Sequence, residues 1–493
     1  MTPAATVVVG GGIAGLVTAW QLATGGHGVE VLEAGPVVGG CIARHTVGGL
    51  GLDSGAESFA TATPVVADLI TALGIDDRIV SPNPLGAWVR HAGGTAPLPL
   101  AALIGIPARP LAADVRRVLG SVGAARAALD LLLPGRFGAA EPTLGGLVGL
   151  RMGRRVVDRL VEPVAGGVYS TDPDELEVDS VQPRLRGAVH DTGSLANAVR
   201  ALRGSGARPG SAVAGLSGGL FELIVALRSA VEAAGGTITT GVRVEGLTPG
   251  GDGWLLRTSL GPRTARDVVL AVPGVAAAAL LSGQGVTVPP AATATSNVQL
   301  VTLVVDHHGL DSHPRGTGLL VSRHASGVTA KALTHATAKW AWLAEQAGPG
   351  RHVLRLSYGR GDQPLPEAEE LLDLALTDST VMTGVALTRA TLVDSDLTTW
   401  TSALPRPAPG HRAAMDRLRE QVGSLPGLHL TGSMTAGTGL AAVVAEARAC
   451  ARQLTERLGP ADHTTGTDRR PDPSVSASTS ATPQPPETPP TAA

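Results

Sequence analysis

The sequence has few cysteines, a small net charge and no long apolar runs. The 493 residues include two cysteines, Cys41 and Cys450, which are too few for a disulfide framework or a cysteine-based metal cluster and favour a reducing compartment. The formal net charge is −3, so the composition gives no indication of a nucleic-acid partner. We recognise neither a signal peptide nor an apolar run long enough to span a bilayer, and we expect a cytoplasmic protein.

Apolar residues, in contrast, are plentiful and make up 43% of the chain. With this length they suffice for two or three domains with sizeable cores. The composition changes abruptly near the C-terminus, where Pro, Ser and Thr replace almost all apolar residues. We therefore predict a disordered tail over 459–493, because such a segment has too little apolar surface to bury.

The stretch "VVVGGGIAGLVTAW" predicts a strand, a glycine turn and a helix. Val7–Val9 is a β-branched run, apolar residues then recur at helical spacing from Ile13 to Ala23, and Val29–Leu32 predicts a second strand. The turn has the pattern G-x-G-x-x-G of a dinucleotide-binding βαβ unit, with the acid Glu33 at the distance suited to ribose hydroxyls. The alternative is a glycine-rich turn in an ordinary α/β domain. The predicted binding residues here are Gly10, Gly11, Gly12, Ile13, Ala14, Gly15, Glu33 and Ala34.

A second glycine pair, Gly39 and Gly40, follows this unit, with the cation Arg44 four residues later. Glycine again allows a ligand to approach the backbone closely. This addition resembles the flavin-binding signature of the amine oxidase and porphyrinogen oxidase superfamily, although Cys41 occupies a position where Arg or Lys is common. The resemblance implies that FAD is the cofactor and that Gly39, Gly40 and Arg44 lie along it.

Three distant segments have the pattern of further parts of the nucleotide domain. We predict a helix and then a strand over Thr237–Val244, a strand within 266–274, and a strand, glycine turn and long helix over 427–454. A plain amphipathic helix after a glycine turn is the alternative for the last segment. The resemblance implies that Val242 and Val244 meet the adenine. It also implies that Gly432, Gly439 and Leu440 lie beside the flavin, where a helix N-terminus stabilises negative charge.

The motifs "GAESF" and "VEPVAGGVYS" narrow the resemblance. From about residue 5 to 455 the chain is similar to the bacterial FAD-dependent porphyrinogen oxidases, the family of protoporphyrinogen oxidase and coproporphyrinogen III oxidase. In such a family Asp53, Gly55, Ala56 and Glu57 lie near the flavin, although Glu57 could equally be a structural cap. One departure is that Leu440, Ala441 and Val443 stand where the family usually has a Gly-Ile-Pro turn and a cysteine.

The resemblance implies oxidation of coproporphyrinogen III to coproporphyrin III in haem biosynthesis, with O2 as acceptor and release of hydrogen peroxide. The alternatives are protoporphyrinogen IX as substrate, a flavin amine oxidase or desaturase, and a binding protein with a structural flavin. With 3 Phe and 2 Tyr, the chain has little material for the aromatic cage of an amine oxidase. We expect no catalytic side chain and no metal, because hydride transfer to a flavin needs neither, and we interpret His91, His190, His307 and His308 as structural or solvated.

The overall expectation is an α/β and α+β fold with a discontinuous Rossmann-type FAD domain, a mixed-sheet substrate domain and a helical lobe. The predicted limits are 1–86, 206–275 and 415–458 for the FAD domain, 87–205 for the helical lobe and 276–414 for the substrate domain. In the lobe, Arg116, Arg117, Arg126 and Arg136 alternate with apolar residues, so it could line the substrate or rest on the inner face of the membrane. Handover of the product to a ferrochelatase is a further hypothesis.

Overall fold

The computed structural model describes residues 6–203, 213–361 and 363–459 of the chain. Its strands are β1 (Thr6–Val9), β2 (Val29–Leu32), β3 (Arg44–Val47), β4 (Leu50–Asp53), β5 (Phe59–Ala60), β6 (Ile79–Val80), β7 (Trp88–His91), β8 (Gly94–Pro97), β9 (Ala102–Leu103), β10 (Ile106–Pro107), β11 (Val213–Leu216), β12 (Thr237–Thr239), β13 (Val244–Gly250), β14 (Gly253–Thr258), β15 (Gly261–Ala265), β16 (Asp267–Leu270), β17 (Thr295–Asp306), β18 (Gly318–Val321), β19 (Ala332–His335), β20 (Arg351–Tyr358), β21 (Leu392–Pro405) and β22 (Leu428–Leu430).

The α-helices are α1 (Ile13–Thr24), α2 (Val65–Ala72), α3 (Ala113–Ala128), α4 (Leu144–Met152), α5 (Arg154–Val156), α6 (Glu162–Tyr169), α7 (Val178–Val181), α8 (Leu185–Thr192), α9 (Leu195–Arg203), α10 (Phe221–Ala233), α11 (Gly274–Leu281), α12 (Pro290–Thr293), α13 (Ala336–Lys339), α14 (Ala341–Ala347), α15 (Ala368–Thr383), α16 (His411–Gly423), α17 (Ser433–Ala436) and α18 (Leu440–Leu458). A π-helical turn, Val157–Val161, joins α5 to α6. Together with the sheets below, these elements confirm the predicted α/β and α+β class.

A five-stranded parallel sheet in the order β12-β2-β1-β16-β22 forms the centre of the nucleotide-binding unit. Val7 and Val9 pack into one core cluster together with Leu418 of α16, whereas Val8 packs into another together with Leu454 of α18. Both faces are therefore covered, as is usual for parallel sheets, and this explains why β1 is a continuous run of buried residues. Its strands come from four separate parts of the chain.

A seven-stranded mixed sheet in the order β21-β17-β20-β19-β18-β7-β8 forms the second layered unit. Neighbouring strands are antiparallel except for β18 and β7. Residues 88–97 contribute two of these strands, whereas our limits placed them in the helical lobe. The β-branched and aromatic content of Trp88–His91 suits a strand, but its partner β18 lies more than 200 residues away in sequence. The remaining domain limits stay a prediction.

The helical lobe is built around a buried ion pair. Asp130 and Arg151 both have fully buried side chains, with 2.6 Å between Asp130 Oδ1 and Arg151 Nε. The Asp130 carboxylate also accepts the N–H groups of Leu195 and Ala196 at the start of α9. Arg151 donates further hydrogen bonds to the carbonyl oxygens of Phe137 and Gly193, among others. The pair thus joins α4, α9 and the chain after α3 within one apolar cluster.

Two sequence predictions need correction. The strand predicted over Thr237–Val244 is in fact two strands: β12 ends at Thr239 and β13, which begins at Val244, belongs to a different three-stranded sheet. Gly241, with φ 71°, turns the chain between them. In addition, α17 separates β22 from α18, where we expected only a glycine turn. The predicted disordered tail, 459–493, lies outside the described residues apart from Gly459.

No helix in the described ranges combines the length and the apolar character that crossing a bilayer would need.

The buried ion pair of the lobe leads to a stability prediction. Asp130→Ala leaves the Arg151 guanidinium charged and unpaired in an apolar core, so we expect a loss of about 3–5 kcal/mol in the free energy of unfolding. As a control, Glu232→Ala removes the partner of Arg228 in an exposed pair and should lose no more than about 0.5 kcal/mol. Urea denaturation curves measure both values. Equal, small losses would show that the pair does not organise the lobe.

Candidate functional site

The turn between β1 and α1 has the geometry of a phosphate-binding loop. Gly10 has φ 106°, a conformation that other residues rarely adopt. A Cβ atom on Gly15 would overlap the carbonyl oxygen of Gly10, so the helix could not begin here with a larger residue. Around Gly12, in contrast, a Cβ would meet no atom within 4 Å. The turn is therefore tightly packed on the protein side and open on the side of the helix N-terminus, where an anion is favoured.

Glu33 fastens this turn to the end of β2. Its Oε2 accepts the N–H of Gly11 and its Oε1 accepts the N–H of Gly35, both at 2.7 Å. Each carboxylate oxygen retains a second lone pair, so the predicted contact with ribose hydroxyls remains chemically open. Val242 donates its N–H to the carbonyl oxygen of Glu33 at 2.9 Å. Val242, about 200 positions further along the chain, thus lies beside the acid.

The other predicted glycine segments converge on the same turn. Gly39 donates its N–H to the carbonyl oxygen of Gly11 at 2.8 Å, and a Cβ on Gly40 would lie 3.5 Å from the Cα of Gly12. From the C-terminal part, Gly432 lies against Ala14, and Leu440 packs in one apolar cluster with Ile13. The structure therefore brings together the predicted binding residues from three segments: 10–15, 39–40 and 432–440.

The C-terminal turn supplies a second helix N-terminus. Gly439 precedes the 19-residue helix α18 with φ 107°, and a Cβ there would meet no atom within 4 Å. Next to it, the buried hydroxyl of Thr438 has no hydrogen-bond partner among the described residues. An open helix N-terminus and an unsatisfied hydroxyl fit a polar ligand edge, such as the pyrimidine side of a flavin.

The "GAESF" loop connects this region to the mixed sheet. Ala56 donates its N–H to the carbonyl oxygen of Cys41 at 2.9 Å and packs in the cluster that contains Ile13 and Leu440. A Cβ on Gly55 would overlap the same carbonyl group. From β21, Trp400 donates its indole N–H to the carbonyl oxygen of Ser54 at 2.9 Å. The loop is thus held between the nucleotide-binding unit and the sheet.

Glu57 forms the charged centre of this loop. Its carboxylate lies 2.5 Å from Lys339 Nζ and 3.5 Å from Arg355 Nη2, and all three side chains are largely buried. Burial alone would raise the pKa of Glu57, but Lys339 and Arg355 outweigh it and hold the pKa at about 2. Glu57 is therefore ionised at every physiological pH. Lys339 also lies 4.9 Å from the ring centre of Trp340.

Asp53, four residues earlier, has the opposite electrostatic character. Burial raises its pKa to about 6, although its carboxylate accepts the N–H groups of Leu220 and Phe221. Asp53 can therefore exchange a proton close to neutral pH. Asp53 and Glu57 line a cavity of about 30 Å³ together with Thr302, Trp340 and Arg355. A space of this size holds about one or two water molecules.

Sequence reasoning missed Lys339 and Arg355. A signal was available, because Lys331 and Lys339 are the two lysines in the chain, against 39 Lys and Arg residues in total. Arg44 lies on the β3–β4 hairpin with its guanidinium carbon 5.3 Å from the ring centre of Phe221.

The four histidines named from the sequence, His91, His190, His307 and His308, do not line this cavity. His190 and His308 have exposed side chains paired with nearby aspartates, while His91 and His307 accept N–H groups two residues further on.

Comparison with known proteins is consistent with this geometry. The family model described as flavin containing amine oxidoreductase matches residues 13–455. A coproporphyrinogen III oxidase from Mycobacterium tuberculosis is 30% identical over 470 residues, covering 93% of this chain and 99% of the relative. The Bacillus subtilis protein of the same name is 28% identical, with coverages of 88% and 94%. The crystal structure of a candidate protoporphyrinogen oxidase from Exiguobacterium sp. 255-15 superposes with a TM-score of 0.78 at 27% identity, covering 91% and 98%.

The open surface of Gly12 yields a test of the phosphate turn. Gly12 has φ −71° and free space around its Cβ position, so Gly12→Val should leave the fold intact while its side chain enters the space of the pyrophosphate. We expect FAD to bind at least about tenfold more weakly, or ~1.4 kcal/mol. Flavin absorbance after purification and titration of FAD measure this loss. Gly423→Val, at an equally open position, is the control, and full flavin content in Gly12→Val would refute the assignment.

Proposed function

The chain belongs to the flavin-containing amine oxidoreductase family, and we propose that it oxidises coproporphyrinogen III to coproporphyrin III. The family match confirms the predicted FAD cofactor and the predicted oxidoreductase class. The observation that supports this choice of substrate is sequence similarity over almost the whole chain. Relatives named coproporphyrinogen III oxidase share about 30% identity with it and align almost end to end. The reaction removes six electrons and six protons from the substrate and converts three O2 to three hydrogen peroxide molecules.

The residues present fit FAD, and we infer how they hold it. The pyrophosphate would lie on the α1 N-terminus at Gly12, the ribose against Glu33, and the adenine near Val242 and Val244. The α18 N-terminus at Gly439 would face the pyrimidine edge of the flavin. When bound, FAD accepts two electrons from the substrate and passes them to O2, so each porphyrinogen needs three cycles.

The protein's own side chains would position the substrate and control charge at the flavin side. The ionised Glu57 keeps Lys339 and Arg355 in place at the junction of the two units, and both cations favour negative charge nearby. Asp53, whose pKa burial raises to about 6, is the group in this cluster suited to take up a proton that the substrate releases. Neither role requires a covalent intermediate.

Protoporphyrinogen IX is the second candidate substrate, since the structural relative from Exiguobacterium is a candidate protoporphyrinogen oxidase. An amine substrate is less well supported. We call Asp53, Glu57, Lys339 and Arg355 the flavin-side cluster. Trp340 and Trp342 line its cavity, but Trp340 packs on Lys339, and Trp400 nearby is engaged in a hydrogen bond with Ser54.

We also propose peripheral contact with the inner face of the membrane, through the helical lobe. Val122 lies on α3, and Leu129 and Leu132 lie on the 3-10 turn that follows it; the three residues are 75%, 49% and 81% exposed. Arg116 and Arg117, on the part of α3 that precedes the kink at Gly120, are exposed as well. Exposed apolar residues next to cations are the composition that binds anionic lipid surfaces. Such a location would also suit the handover of an apolar product to a ferrochelatase, which we retain as a hypothesis.

The substrate assignment predicts a preference that steady-state kinetics can measure. Each porphyrinogen is supplied to the FAD-loaded protein with O2, and porphyrin fluorescence and hydrogen peroxide are followed together. We expect kcat/KM for coproporphyrinogen III to exceed that for protoporphyrinogen IX by at least about tenfold, which corresponds to ~1.4 kcal/mol of transition-state discrimination. Three peroxide molecules should form for each porphyrin. The reverse preference would change the substrate, and no oxidation of either would refute the proposed function.

Membrane contact predicts co-sedimentation with vesicles of phosphatidylcholine and phosphatidylglycerol. The double variant Val122→Asp, Leu132→Asp should release most of the bound protein, because it places charges in the interface. Val225→Asp is the matched control, since Val225 is 54% exposed on α10 of the nucleotide-binding unit. Equal binding of both variants would locate the contact elsewhere, and no binding of the unaltered protein would exclude it.

A further inference from the structure

A charged cavity of about 290 Å³ lies between the helical lobe and the mixed sheet. Its acidic side chains, Glu162, Asp172 and Glu175, come from the lobe, and its arginines come from the sheet unit. The arginines are Arg323, Arg360 and Arg406. The cavity is therefore a junction between the two units, and no residue of the flavin-side cluster described above lines it.

Each of these arginines pairs with one acid. Arg360 Nη1 lies 3.2 Å from Glu162 Oε1, and Arg406 Nη2 lies 3.1 Å from Glu175 Oε2. The Arg323 guanidinium forms an ion pair with Asp172, and the backbone N–H of Arg323 donates a hydrogen bond to Glu162 Oε2 at 3.0 Å. The side chains of Glu162 and Arg360 are 5% and 12% exposed. Among these lining residues, positive and negative charges thus balance pair by pair.

Lys331, directly behind this wall, upsets that balance. It is 2% exposed, and its Nζ donates a hydrogen bond to the hydroxyl of Ser170, a residue of the cavity wall. Within the described ranges, no carboxylate lies within ion-pair distance of Lys331. The other lysine of the chain, Lys339, has a side chain that is 14% exposed and has Glu57 as its partner. Lys331 is therefore a buried cation without a counter-ion at the edge of a polar cavity.

The environment of Lys331 disfavours its charge. Burial, together with the positive charge of the neighbouring Arg360, lowers the pKa of Lys331 to about 7. An unpaired ammonium in such a place is costly unless something compensates it. A bound anion would do so, because it would add the negative charge that the paired acids of the lobe do not supply.

We propose that this cavity binds a carboxylate of the tetrapyrrole substrate, with Lys331 as the cation that the carboxylate compensates. The inference rests on the proposed function, since it takes the ligand from that reaction. Arg360 of the cavity follows Arg355 of the flavin-side cluster by five residues, with the end of β20 at Tyr358 and a turn at Gly359 (φ 98°) between them, so the two residues lie at most about 17 Å apart. A macrocycle positioned at the flavin could thus extend a peripheral propionate towards Ser170 and Lys331.

The site has a consequence for specificity. Coproporphyrinogen III carries four propionates, whereas protoporphyrinogen IX has vinyl groups in place of two of them. A buried cation binds a charged carboxylate more tightly than a neutral vinyl group, because the neutral group leaves the cation unpaired. Lys331 would therefore be a specificity-determining residue that acts on the edge of the substrate, away from the reacting carbon.

Lys331→Met tests the proposal, because methionine keeps the length of the side chain and removes its charge. Binding of coproporphyrin III and of its tetramethyl ester to the FAD-loaded protein is measured by porphyrin fluorescence. For the unaltered protein we expect the acid to bind more tightly than the ester. In Lys331→Met the Kd of the acid should rise at least about tenfold, while the Kd of the ester stays within about twofold. Arg228→Met, which removes an exposed positive charge, should match the unaltered protein.

Kinetics and stability provide independent readouts. KM for coproporphyrinogen III should rise with the Kd while kcat stays within about twofold, and flavin absorbance should not change. Because Lys331 lacks a counter-ion, its loss should not lower the urea midpoint. If Lys331→Met does not fold, Lys331→Gln is measured with the same expectations. A different result would overturn the proposal that the site binds a substrate carboxylate. In that result millimolar propionate competes at the site, but the protein binds coproporphyrin III and its tetramethyl ester equally well, which would assign the site to a free anion.

Two failures remain distinguishable. Unaltered protein that oxidises neither porphyrinogen overturns the proposed function. Oxidation of coproporphyrinogen III by the unaltered protein, together with an unchanged Kd in Lys331→Met, overturns the carboxylate site alone.

Discussion

The ion pair between Glu57 and Lys339, with Arg355 beside it, is the contact on which the site depends. Glu57 belongs to the loop that packs on the nucleotide turn, whereas Lys339 and Arg355 belong to the mixed-sheet unit. Arg355 also donates a hydrogen bond to the carbonyl oxygen of Asp53 at 2.9 Å. Because an unpaired buried charge is costly, the two units cannot separate here without exposing one of these charges to water or leaving it buried without a partner. The electrostatics that shape the flavin side therefore also fix the relative placement of its walls.

Local patterns predicted the local elements well. The β1–α1–β2 unit was predicted within about one residue at each end, because the β-branched run, the helical periodicity and the glycine turn indicate the same structure. The strand predicted to Val244 was wrong, since Gly241 turns the chain and the following residues pair with β14 instead. Residues 88–97 were assigned to the helical lobe for a related reason. They join the mixed sheet by pairing with β18, which is distant in sequence, and local periodicity does not predict such a pairing.

The site was predictable only as far as its segments resemble known ones. The glycine segments around residues 10–15, 39–40 and 432–440 were identified individually, and the structure brings them together. Lys339 and Arg355 were missed because neither lies in a motif with a chemical meaning of its own. Their role arises from burial beside Glu57, which depends on how β20 and α13 pack against the loop. The scarcity of lysine was a signal for Lys339, but the sequence held no comparable signal for Arg355.

The parallel sheet also has a consequence for the order in which the protein can be assembled. Its strands β1 and β2 are made first, β12 and β16 more than 200 residues later, and β22 only at Leu428–Leu430. During synthesis the two edges of the early βαβ unit therefore stay unpaired until β12 and β16 have been made, and the edge of β16 stays unpaired until almost the whole chain has left the ribosome. The α18 N-terminus emerges later still. The nucleotide can find a complete binding surface only after the other units have had time to fold.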